Sequence, residues 1–126
     1  MPKTADSGQK PDVSRTIAPS PVLLFRYSAL TYNGHRIHYD RPYVTEVEGY
    51  PGLIVHGPLQ ATLLLQTAAD LRPGERASAF AFRATHPLFD LAPFTVNGRR
   101  TGERSADLWV AGPQSVVHMQ ATAEWA

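Results

Sequence analysis

The chain has 126 residues, twelve Lys+Arg against eleven Asp+Glu and no cysteine. Such a length fits one domain, the balanced charge gives no basic footprint for nucleic acid, and the missing thiols exclude disulfides and thiolate metal sites. No apolar run approaches the roughly 20 residues of a membrane span, and the first 19 residues lack the apolar core of a secretory signal, so the expected setting is cytoplasmic, away from membranes. A core this small that also houses a ligand favours pairing with a second copy or a related chain.

In chain order, residues 1–20 are rich in Pro, Ser, Lys and Asp and read as a flexible N-terminal tail or linker, leaving 21–126 as the folded domain. The run Val22 to Tyr27 reads as a short strand. Asp40-Arg41-Pro42 offers the start of a helical turn, with proline in its first turn. At Gly57-Pro58 the main helix begins, with Gly57 near the N-cap and Pro58 where a missing N–H costs nothing. Leu59 to Asp70 carries apolar side chains around most of its circumference, which predicts a buried helix, and Pro73-Gly74 ends it. Strands follow. Ala77 to His86 reads as one packed on both faces, and Asn97-Gly98 as either a hairpin turn or a bulge. Ala106, Leu108 and Val110 share one face of a strand. After a turn at 111–114, Val117, Met119, Ala121, Ala123 and Trp125 alternate with polar residues to give one dry face. One long helix wrapped by a curved antiparallel sheet is the arrangement this order favours, in the α+β class.

Ahead of the main helix, residues 32–40 gather Asn33, His35, Arg36, His38, Tyr39 and Asp40, and His56-Gly57 then opens the helix. Imidazole titrates near neutrality and serves as acid or base, which makes His38 a candidate proton carrier. A carboxamide donates to and accepts from water but takes up no proton, so Asn33 is fit to orient water rather than to activate it. The helix start at Gly57 offers free N–H groups and a positive dipole end for a carbonyl oxygen. His35, His38 and Asp40 also form a His-x-x-His-x-Asp array. It matches no established metal-ligand spacing and has no fourth ligand, so neither metal nor other cofactor is predicted. Arg99, Arg100 and Arg104 make a modest basic cluster, read as a solvated loop or as a contact for phosphates.

The segment Asn33-Gly34-His35-Arg36-Ile37-His38, with Ile54-Val55-His56-Gly57 after it, resembles the hotdog-fold MaoC-like (R)-specific enoyl-CoA hydratases and dehydratases. Their usual pattern runs roughly Ser-Gly-Asp-x-Asn-Pro-Ile/Leu-His and, further on, Ile-Val-His-Gly. In that resemblance Asn33 stands in place of the catalytic Asp, His35 of an Asn and Arg36 of a Pro, while His38 matches the catalytic His. The wording Leu-Thr-Tyr-Asn-Gly-His-Arg-Ile-His-Tyr-Asp is most similar to the branch holding mesaconyl-C4-CoA hydratases and fungal 3-hydroxyacyl-thioester dehydratases, proteins with two hotdog halves, of which this chain resembles the C-terminal one.

The resemblance implies a hotdog fold and a hydro-lyase that hydrates a short-chain enoyl-CoA or dehydrates the 3-hydroxyacyl-CoA. It implies His38 and Asn33 as catalytic residues and a homodimer or a heterodimer with a second hotdog subunit. Gly57, His56, His35, Arg36 and Tyr39 are the candidate substrate-binding residues. The alternative is a non-catalytic acyl-thioester-binding or partner subunit. A thioesterase ranks lower, because the helix offers Gln60 and Gln66 at candidate positions and its only carboxylate, Asp70, at the far end.

Overall fold

The computed structural model describes residues 10–126. The first element is a strand, β1 (Val13–Ile17), and two short helices follow, α1 (Pro21–Leu30) and α2 (Arg41–Glu46). The main helix is α3 (Gly57–Leu71), and four strands complete the fold: β2 (Ala79–Ala84), β3 (Phe94–Gly102), β4 (Ser105–Ala111) and β5 (Val117–Glu124). The strands form one antiparallel sheet in the order β1-β3-β4-β5-β2. Helix α3 lies against β3, β4 and β5, and its Leu64, Ala68 and Leu71 meet Val96, Leu108, Met119 and Ala123 in the core. This is the α+β arrangement expected from the order of elements.

Five expectations are corrected. The run expected as a strand at Val22 to Tyr27 is helix: Ser20 Oγ accepts from the Leu23 N–H at 3.0 Å, Pro21 opens the first turn, and Leu24 and Ser28, one turn apart, are buried. The expected tail over 1–20 fails at Val13–Ile17, which pair with Phe94–Gly98 and set Val13 and Ile17 against the core; the part of that expectation at 1–9 lies outside the described residues. Helix α3 is buried on one side only, with Leu65 44% exposed and Gln66, Ala69 and Asp70 also outward. Strand β2, expected to be packed on both faces, is a largely exposed edge whose Phe80 alone packs against the core.

Asn97-Gly98 is neither turn nor bulge but mid-strand, opposite Trp109 and Leu108. The glycine serves the helix instead: a Cβ at Gly98 would stand 3.0 Å from both Leu71 Cδ1 and Thr67 Cγ2. Its absence lets α3 sit down on the sheet. The β3–β4 turn falls at Glu103-Arg104, next to a register shift between Arg100 and Gly102. The starts read at Asp40 and Gly57-Pro58 agree with the structure. Asp40 caps α2 by accepting from the Tyr43 N–H at 3.1 Å, and the cap of α3 is His56, one residue before Gly57.

Candidate active site

Helix α1 ends at Thr31, and Tyr32 turns the chain with a left-handed φ of 54°. The Asn33 N–H then donates to the Ser28 carbonyl at 2.8 Å, and Asn33 Oδ1 accepts from the His35 N–H at 3.0 Å. This side-chain turn directs residues 36–38 into a single 3-10 turn. Asn33 keeps its NH2 group and one lone pair for other partners. A bridge from the Ile54 N–H to the Ile37 carbonyl, 2.9 Å, ties the turn to the segment that precedes α3.

Two histidines meet at that junction. His38 is 8% exposed and His56 fully buried; their rings stack at 3.8 Å between centroids and 15° between planes. The His38 Nδ1–H donates to the Ile54 carbonyl at 2.7 Å. A carbonyl only accepts, so the proton of the neutral ring resides on Nδ1 and Nε2 carries a free lone pair. Burial pushes the His38 pKa down, the Ile54 bond opposes this, and the nearby His35 adds to the lowering. His56 shares a 2.7 Å hydrogen bond between Nε2 and Ser28 Oγ and meets the edge of Tyr27 at 4.7 Å. Burial first, and the His38 charge second, push its pKa down to about 4. Both rings are neutral at neutral pH.

Gly57 follows His56 directly and starts α3. Pro58 has no N–H and the Gln60 N–H returns to the His56 carbonyl at 3.1 Å, so Gly57 and Leu59 supply the free donors of the first turn. A Cβ at Gly57 would meet nothing nearer than Met119 Cε at 4.0 Å, so its role is not a tight packing approach.

The structure thus brings His38, His56 and Gly57 together, with His35 edge-on to His38 at 5.9 Å. Arg36 and Tyr39 are held in a surface group. The Arg36 side chain pairs with Asp40 at 2.9 Å and covers the Tyr43 ring at 4.0 Å, and Tyr39 Oη donates to the Gly34 carbonyl at 3.0 Å. Among the described residues no three His, Asp or Glu side chains converge as a metal site. Arg100 donates to the Leu71 carbonyl at the far end of α3, roughly 21 Å from Gly57 at 1.5 Å per residue. Gln60 turns its amide to the Val55 carbonyl at 3.2 Å. Ser28 and Tyr27 are the partners that sequence reasoning missed. They reach the site only because α1 is a helix.

A model of the family described as hydroxyacyl-thioester dehydratase type 2 matches residues 1–90, and the chain belongs to that family. It is 52% identical over 112 residues to the mesaconyl-C(4)-CoA hydratase of Chloroflexus aurantiacus, covering 89% of this chain and 39% of that protein. It is 36% identical over 112 residues to the mitochondrial hydroxyacyl-thioester dehydratase type 2 of Schizosaccharomyces pombe, covering 87% of this chain and 36% of the relative. The chain therefore spans less than half the length of these curated relatives. Among solved structures, the (R)-hydratase from A. caviae involved in PHA biosynthesis superposes with a TM-score of 0.73 at 18% identity, over 94% of this chain and 96% of that one. The fold is the MaoC-like hotdog.

Proposed function

We propose that the chain is the hotdog half, homologous to a C-terminal one, of a hydro-lyase that reversibly hydrates a short-chain enoyl-CoA such as a mesaconyl-CoA. The observation that carries this is the His38 ring, whose Nδ1–H is tied to Ile54 and whose Nε2 is left as a base beside the helix start at Gly57. Identity to a mesaconyl-C(4)-CoA hydratase supports the substrate class. In the forward direction the thioester oxygen accepts from the N–H groups of the first turn of α3, which stabilise the enolate charge. Asn33 orients a water; its oxygen bonds to the β-carbon as His38 Nε2 takes its proton, and the double-bond electrons move to the α-carbon and thioester oxygen. The His38 imidazolium then gives a proton to the α-carbon, so one water is added and the base is regenerated.

The same reading places the chain in a dimer, with itself or with a second hotdog subunit, in the cytoplasm. His35, Arg36 and Tyr39 line the approach to His38 in this reading. Hydration of crotonyl-CoA and mesaconyl-CoA by the purified chain, with its His38 and Asn33 variants, is the test. His38→Ala should lose 10²–10⁴-fold in rate, the range typical of general acid–base groups. Asn33→Ala should lose water positioning, Asn33→Asp should be tolerated, and thioester binding should survive in both alanine variants. Wild-type turnover by His38→Ala would remove His38 as proton carrier. Binding without turnover by the wild type would instead identify a partner subunit that only holds the thioester.

A further inference from the structure

His56 takes no part in the steps above, yet it is among the most enclosed polar side chains of the described chain. Three groups fix its ring: the Ser28 hydroxyl at Nε2, 2.7 Å away, the edge of Tyr27, and the face of His38 at 3.8 Å. Its Nδ1 is buried with no partner, so no carboxylate orients it and it is not built to relay a proton. The ring it covers needs holding. An imidazole turns readily about its χ2 bond, and His38 is anchored by one hydrogen bond, to Ile54.

We infer that His56, held by Ser28, is a positioning residue that fixes the plane of the His38 imidazole and shields one of its faces from water, keeping Nε2 an unprotonated base aimed into the site. This rests on the hydratase reading for its catalytic consequence, but the contact itself is independent of any substrate. The titratable groups facing His38 are His56 on its face and His35 edge-on at 5.9 Å. A charged His56 would repel the imidazolium that His38 forms in turnover. Burial keeps His56 neutral down to about pH 4, so its effect on His38 is cover and orientation rather than charge.

Ser28→Ala and His56→Phe test this in the full chain, each followed by kcat and KM for crotonyl-CoA across pH, by NMR titration of the His38 ring, and by thermal melting. Ser28→Ala frees the His56 ring. It should lower kcat about tenfold or more with KM nearly unchanged, since small misplacements of a reacting group cost up to about 100-fold. Water reaching His38 should move its titration midpoint, and the acid limb of kcat/KM, to higher pH. His56→Phe keeps a flat ring over His38 and should hold the midpoint low. A lowered melting temperature with kcat and the His38 midpoint unchanged would make His56 a packing residue and overturn the inference. If the wild type turns over neither crotonyl-CoA nor mesaconyl-CoA, the hydratase reading fails on its own. The NMR titration still decides the contact: a raised midpoint in Ser28→Ala upholds it, and an unmoved one sinks it.

Discussion

A histidine buried without an acid partner is harder to protonate in the folded chain than in the unfolded one, and the excess protons bound by the unfolded state set the sign of its pH effect. For His56 the folded pKa is about 4, against an ordinary 6.5. The stability this neutral ring contributes is present above about pH 6.5 and is lost as pH falls toward the folded value; His38, shifted in the same direction, adds to the slope. The melting temperature should therefore fall between about pH 6.5 and 4.5, and His56→Phe should flatten that fall. A wild-type melting curve level across this window would contradict the buried, neutral state of the pair. At this scale the site was half legible. His38, His56 and Gly57 were singled out chiefly through the resemblance of their motifs, with residue type in support. The stack and the Ser28 bond did not, because contact between residues 28 and 56 comes from the path of the chain and leaves no local pattern.

Among the elements, those with a periodic pattern were readable and those without one were not. Helix α3 and strand β5 were recovered from spacing and alternation; the dry face of β5 followed, while α3 is buried on one side only. Helix α1 was misread because Val22-Leu23-Leu24-Phe25 is too short an apolar run to show a period. Its Ser20-Pro21 start carried the helix signal. Gly98 shows the opposite failure, a strong turn signal overridden by tertiary packing. Its missing Cβ is what lets Thr67 and Leu71 rest on β3, and both of those side chains are buried. Gly98→Ala should cost about 1–3 kcal/mol, as overpacking of a filled core does, read as a lower urea midpoint at unchanged slope. An unchanged midpoint would mean that α3 shifts away from the sheet without loss.

For the molecule as a whole, the sheet leaves an edge that calls for a partner. Among the described residues strand β2 pairs only with β5, so its far side presents unpaired backbone groups, the kind of edge that recruits another strand unless blocked. Its one charged residue is Arg83, and Phe82 is 52% exposed. None of this was legible in the sequence, where the alternation of Ala77 to His86 suggested two covered faces. The relatives are more than twice the length of this chain, and the proposed occupant is a second hotdog unit. The purified chain should therefore pair in solution, burying at least the roughly 1,000 Å² of a specific interface. Phe82→Glu places a charge on that edge and should raise the dimer dissociation constant about tenfold or more, since a desolvated unpaired charge at an interface costs several kcal/mol. Sedimentation velocity across the micromolar range measures this. A wild type that stays monomeric at high micromolar concentration while hydrating crotonyl-CoA at full rate would show the site to be complete within one chain, and an undiminished dimer in Phe82→Glu would move the interface away from β2.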